Sequence, residues 1–268
     1  MYWHLLSLDA PTLAVLWAWS LARAAHAHAA VSAVAVLGLG TWLIYVADRL
    51  LDGRAGADPR ELRERHQFHA RHRFSFLLAG VAAAALLLGL IARMPAAARR
   101  EDAALFGISM LYFAAVHQRR VRFRFPREPI VGVLFACACA VPAWSGSAAA
   151  HETLLRLAPL FAALCWLNCM AIQTWEHAER APRWLISAAA VCIAAAAAAS
   201  MLESGDPGAL RLAAAVLTAA LLLLALDCDR RRALKRAPQR EPLSALALRI
   251  LADAALLTPL LLMASWRG

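Results

Sequence analysis

Thr41-Trp-Leu-Ile-Tyr45-Val-Ala-Asp48-Arg49-Leu-Leu-Asp52 closes an apolar run that begins near Ala29. Asp48 and Asp52 are four residues apart, so on a helix they project from one face, one turn above each other. Two carboxylates at the mouth of a membrane span are costly unless paired, solvated or bound to a cation. A second polar cluster, Asn168, Gln173, Glu176 and Glu179, closes another apolar run. Two acidic helix ends on one side of a membrane can hold divalent cations against a diphosphate, so the chain reads as a possible enzyme and not only as a membrane protein.

The run belongs to a strongly apolar chain. Of its 268 residues 62% are hydrophobic, and the mean hydropathy is +0.57. Several stretches approach or exceed the ~20 apolar residues that cross a bilayer. Long unbroken Ala/Leu runs exclude a transmembrane β-barrel, whose strands alternate. The net charge is +10, and Lys235 is the only lysine. The arginines cluster between the apolar runs, which is the positive-inside pattern and an attraction to anionic lipid rather than a nucleic-acid footprint. The six cysteines lie almost entirely inside apolar runs without a Cys-x-x-Cys pair. They read as small buried apolar residues, not as disulfides or a zinc site. The N-terminus lacks a basic stretch and a clear cleavage site, so the first span is expected to be retained.

Nine spans are expected, near 9–24, 29–47, 74–93, 102–117, 129–147, 153–173, 184–202, 208–226 and 244–264, in one domain covering 1–268. The alanine-rich run 188–199 is expected to let helices pack closely, as small residues do in lipid. The loops after the second, fourth, sixth and eighth spans carry most of the arginines, whereas 145–152 and 203–207 carry no Arg or Lys. The loop 93–101, with Arg93, Arg99 and Arg100, is the exception. The positive-inside rule then places the N-terminus and both acidic helix ends in the cytoplasm, in a bacterial inner membrane.

Nine spans, Asp-Arg-x-x-Asp at the end of span two and a polar-acidic cluster at the end of span six resemble the UbiA prenyltransferase superfamily. Asp48, Arg49 and Asp52 match the second half of its first acidic motif, while Ile44-Tyr45 stands where the leading Asn-Asp is usual. Tyr112, Arg119, Arg120 and Ile130-Val131-Gly132 echo its segment around the fourth span. The resemblance implies a helical bundle around a cavity capped on the cytoplasmic side, and Mg²⁺-dependent prenyl transfer from a prenyl diphosphate to a lipophilic acceptor. It implies that Asp48 and Asp52 bind one ion, and Glu176 with Glu179 or Asn168 another. Arg119 or Arg120 would contact the diphosphate, with Arg49 and His66 beside the substrate. Mg²⁺ takes oxygen ligands and bridges carboxylates to phosphate oxygens. Arginines clamp phosphates through paired donors. An alternative of another class is a non-catalytic, repurposed relative that binds a lipid or quinone, favoured by Ile44-Tyr45. By spacing alone Asp48 and Asp52 can also simply pair with loop arginines.

Three further features stand apart. His66, His69 and His72, spaced by threes, fit a metal site, a cationic cap over the first acidic motif, or a head-group-facing helix. Asn168 is either a deep polar site residue or glue between helices. Asp253 is expected either to pair with Arg249 one turn earlier or to face the bundle interior as a site residue. Pro259 is expected to kink the last span, with Thr258 satisfying freed backbone groups.

Overall fold

Helices account for all the regular structure among the described residues, and no strand occurs there. The computed structural model describes residues 2–52, 64–117, 127–176, 184–236 and 243–263. Along the chain the helices are α1 (Tyr2–Leu5), α2 (Asp9–Ala24), α3 (Val31–Asp52), α4 (Glu64–Arg71), α5 (Arg73–Ala92) and α6 (Ala96–His117). There follow α7 (Arg127–Trp144), α8 (His151–Glu176), α9 (Leu185–Glu203), α10 (Pro207–Arg236), α11 (Ala245–Ala255) and α12 (Thr258–Met263).

Six helices among the described residues are long and apolar enough to cross a membrane: α3, α5, α7, α8, α9 and α10. The other three expected spans take different forms. The first is α2, whose 16 residues extend only ~24 Å. The fourth is α6, 22 residues long but carrying Arg99, Arg100, Glu101 and Asp102 in its first two turns. The ninth is broken at Leu256-Leu257 into α11 and α12.

The core explains why a short helix is kept. In α2, Leu13, Ala14, Trp17, Ala18 and Leu21 are all buried, while Val15 and Trp19 leave one face exposed. Trp17 stacks on Phe161 of α8 with ring centroids 3.9 Å apart. Its indole N–H donates to the Leu256 carbonyl at 3.0 Å. That carbonyl lies where α11 stops, so the break in the last apolar segment has a donor waiting for it. Thr258 does not serve its own freed backbone as expected. Its hydroxyl donates across to the Ala215 carbonyl of α10 at 2.9 Å.

The alanine-rich α9 buries Ile186, Ala189, Ala190, Ile193, Ala194 and Ala197. This is one stripe at helical spacing, and it packs against α10. Between lipid-solvated helices no hydrophobic force drives association, so close approach of small residues supplies the packing.

Side-chain contacts fix which helix ends meet. Trp175 near the end of α8 donates to Asp227 of α10 at 3.1 Å, and Arg230 donates back to the Trp175 carbonyl at 3.2 Å. Arg49 near the end of α3 meets the α1–α2 turn. At the other pole His26 after α2 meets Asp206 before α10 at 2.6 Å. The C-terminal ends of α3, α8 and α10 therefore share one face of the bundle with the start of α2.

Candidate functional site

That shared face carries a buried polar network. Arg49 is 3% exposed. Its guanidinium donates to the His4 carbonyl at 3.1 Å and to the Ser7 hydroxyl, and lies 3.8 Å from Asp9. The residue that the resemblance assigns to substrate is thus engaged with the α1–α2 turn. Ser7 has a left-handed backbone, φ 60°, rare outside glycine. The turn it makes sets its hydroxyl between Arg49 and His69. The same hydroxyl is hydrogen-bonded to His69 Nε2 at 3.1 Å. His4 Nδ1 in turn donates to Asp9 Oδ2 at 2.8 Å.

From the other side, Asn168 of α8 is 6% exposed and donates through Nδ2 to Asp253 of α11 at 3.3 Å. Asp9, Tyr45, Asn168, Cys169, Arg249 and Asp253 line one pocket of about 90 Å³, whose remaining wall is largely apolar. Tyr45 of α3 and Asn168 of α8, each about two turns before its helix end, thus border one pocket with the start of α2. A cleft of about 200 Å³ between α2 and α11, lined by Trp3, His4 and Ile250, shares Asp9, Leu13 and Asp253 with it.

His4, Asp9 and Asp253 can offer ligand atoms all within 4.8 Å of one another. Arg49 beside Asp9 and Arg249 at the pocket wall already oppose the two carboxylates. A divalent cation there would leave a buried excess of positive charge, so the chemistry favours hydrogen bonding over metal binding.

The remaining sequence-derived residues distribute as follows. Asp48 is half-buried on the last turns of α3. Asp52 and Glu176 close α3 and α8, and their side chains, like that of His66 in α4, lie outside the described residues. Arg119, Arg120 and Glu179 lie outside them altogether. His69 and His72 diverge rather than converge on a metal. His69 is fully buried and stacks on Phe76 at 3.9 Å, whereas exposed His72 bonds its own helix at Phe68. The short helix α4 packs against α1 and α3, beside the first acidic motif.

Asp9 and His4 escaped the sequence reading. The signal was a lone carboxylate opening an apolar helix in Leu8-Asp9-Ala-Pro11, with a histidine five residues before it. Ile44 and Tyr45 also separate. Tyr45 borders the polar pocket, and Ile44 borders a largely apolar cavity of about 330 Å³ between α3, α5 and α6, which Arg99 and Asp102 also line.

No protein-family model, curated protein or solved structure matches the chain.

Proposed function

We propose that the protein is a UbiA-like integral membrane prenyltransferase with nine crossings, in which α2, α6 and the α11–α12 pair complete the six long spans. The observation that carries the reading is the pocket that α3 and α8 share about two turns before their ends, bordered by Tyr45 and Asn168. The two acidic helix ends belong to those same two helices. The donor set Asp48, Asp52 and Glu176 is all carboxylate oxygen, the chemistry Mg²⁺ prefers. These residues would hold the ion. When bound, it neutralises a prenyl diphosphate leaving group.

The chain's own residues do the rest. Arg119 and Arg120 bind the diphosphate oxygens, and Asn168 and Glu179 border the substrate. The apolar cavity beside Ile44, with Leu87, Ile91 and Phe106, takes an isoprenoid chain and keeps water from a developing allylic cation. The lipophilic acceptor reaches the site from the bilayer. The N-terminus and the acidic ends face the cytoplasm of a bacterial inner membrane.

Isothermal titration of farnesyl diphosphate, with and without Mg²⁺, tests this. Binding should require Mg²⁺ and fall at least tenfold in Asp48→Asn while the helix content is unchanged. Absence of Mg²⁺-dependent binding by the unmodified protein overturns the enzyme reading. A second reading, a repurposed lipid- or quinone-binding relative, is favoured by Ile44: where the family places a polar residue, this chain gives its side chain to an apolar cavity. Under that reading a quinone binds without Mg²⁺.

A further inference from the structure

The cavity of about 330 Å³ between α3, α5 and α6 is apolar along most of its length and charged at one end. Phe76, at the start of α5, stacks on His69, whose partner Ser7 holds Arg49 near the end of α3. The helix α5 therefore starts beside the end of α3 and runs back along it, with Gly80 against Leu43. The end of α5, with Ile91, then lies level with Val36 near the start of α3, and Arg99 and Asp102 of α6 line the cavity there. From Val36 the apolar part runs ~12 Å along α3 to Ile44. Among the described residues α5 packs on α3 and α6 on α7. Leu88 and Phe106 stand exposed on the rim between α5 and α6, so the cavity opens sideways toward lipid.

We infer that this cavity binds one phospholipid of the bilayer through an ethanolamine head, with the phosphate on Arg99, the ammonium on Asp102 and an acyl chain along α3 toward Ile44. The charges at the mouth carry the argument. Glu101 is engaged by the Ser145 hydroxyl. The side chains of Arg99 and Asp102 are in no ion pair or hydrogen bond among the described residues, with each other or elsewhere. Asp102 is half-buried, and a carboxylate beside an apolar cavity in a membrane is costly without a cation. Positions i and i+3 of a helix hold their Cβ atoms ~5–6 Å apart. Phosphoethanolamine separates its two charges by a two-carbon link of comparable span. The guanidinium gives paired donors to phosphate oxygens, and the ammonium gives N–H donors to the carboxylate. A choline head offers a cation without N–H donors. A glycerol head offers no cation and sets its phosphate near Asp102. The volume lies at the lower end of the ~300–1,000 Å³ usual for ligand sites, which suits one chain.

The test uses the full chain in nanodiscs of three phospholipids in equal parts, with ethanolamine, choline and glycerol heads and identical chains, without Mg²⁺ or diphosphate. In each of three preparations a trace of one lipid carries a diazirine on its acyl chain. After irradiation, labelling of residues 36–44 and 102–109, which border the cavity, is read by peptide mass spectrometry. It is divided by labelling around Leu78 and Val81, exposed on α5. The ethanolamine lipid should exceed each of the others at least about fivefold, as one charge contact at a membrane surface provides. Asp102→Asn should bring it down to the choline lipid. Gly40 lines the cavity, and a Cβ there meets nothing within 4 Å, so Gly40→Phe should fill the space and reduce labelling of 102–109 to that of the exposed face. Equal labelling by the three lipids overturns the proposal, as does an excess of the glycerol lipid or a preference that survives Asp102→Asn. The lipid series on the unmodified chain decides the matter even if a variant fails to fold. The inference takes nothing from the transferase reading, which gives the same cavity an isoprenoid chain; under both, the phospholipid is the resting occupant that a prenyl diphosphate displaces. An ethanolamine preference without Mg²⁺-dependent diphosphate binding keeps the lipid site and removes the transferase. Diphosphate binding with no head-group preference does the reverse.

Discussion

Arg49 and Asp48 are neighbours with opposite assignments. Arg49 is buried, and its guanidinium holds the α1–α2 turn through the His4 carbonyl, Ser7 and Asp9. Removing it leaves Asp9 with His4 but without the guanidinium that opposes its buried charge, and Asp9 Oδ1 already lacks a partner among the described residues. Breaking a buried pair by deleting one member costs about 3–5 kcal/mol. Arg49→Ala should therefore lower stability by about 3 kcal/mol in a mixed-micelle denaturation series. Asp48→Asn should leave that midpoint unchanged. Equal midpoints for Arg49→Ala and the unmodified protein would return Arg49 to the substrate. At this scale the sequence was half legible. The spacing of Asp48 and Asp52 marked the end of α3, and Asn168 stood out as a polar residue in an apolar run. Asp9 did not, because its partner Arg49 and its neighbour Asp253 are brought to it only by packing. His69 was legible as unusual but not as a partner of Ser7, since no local pattern encodes a contact across 62 residues.

At the level of elements, two local rules can be tested. Gly132 opens the contact between α7 and α8. A Cβ there would sit 2.8 Å from the Ala162 carbonyl oxygen and 2.9 Å from the Trp166 nitrogen. Both are backbone atoms, so the helices themselves must part. Gly132→Ala should cost about 1–3 kcal/mol, although alanine is otherwise the better helix former. A neutral or stabilising effect would mean that α7 and α8 are not so close.

The second rule concerns the start of α10, where Asp206-Pro207-Gly208 places a capping carboxylate before a proline in the first turn. Asp206 Oδ2 accepts from the Ala209 amide at 2.7 Å, and Oδ1 from His26. Burial pushes the Asp206 carboxyl up, but the His26 hydrogen bond and the Ala209 and Gly208 amides outweigh it and hold it below 3.8. Folding thus favours the carboxylate. The contribution is complete above the unfolded value and is lost as pH falls through the lowered folded one, so the window lies near and below pH 3.8. Asp206→Ala should cost about 0.5–1 kcal/mol at neutral pH, and the gap to the unmodified protein should close on acidification through that window. A gap constant down to pH 2 would remove the carboxylate from the cap.

For the whole molecule, most elements were readable because membrane crossing requires a length of apolar sequence, and that is a local property. The three departures each have a physical cause. The helix α2 is short yet kept by burial of most of its circumference, α6 carries four charged residues in its first two turns, and the last apolar segment breaks where Trp17 satisfies the freed carbonyl. The arginines predict a polarity for the bundle, and that expectation yields a direct test along one helix. The 30 residues of α10 span ~45 Å, enough to traverse a bilayer. The turn before it, 204–206, carries no Arg or Lys, whereas its end carries Arg230, Arg231, Arg232, Lys235 and Arg236. Each basic residue near an anionic cytoplasmic leaflet contributes about 1 kcal/mol toward keeping that end inside. On a background with the six native cysteines replaced, Gly205→Cys should react with an impermeant maleimide added to intact cells. Arg232→Cys, exposed on the last turns of α10, should react only after permeabilisation. Labelling of both from outside would mean that α10 does not cross, and would take with it the common face on which the ends of α3, α8 and α10 meet. Reversed labelling would keep the crossing and turn the candidate site away from the cytoplasm, where a soluble prenyl diphosphate would be supplied.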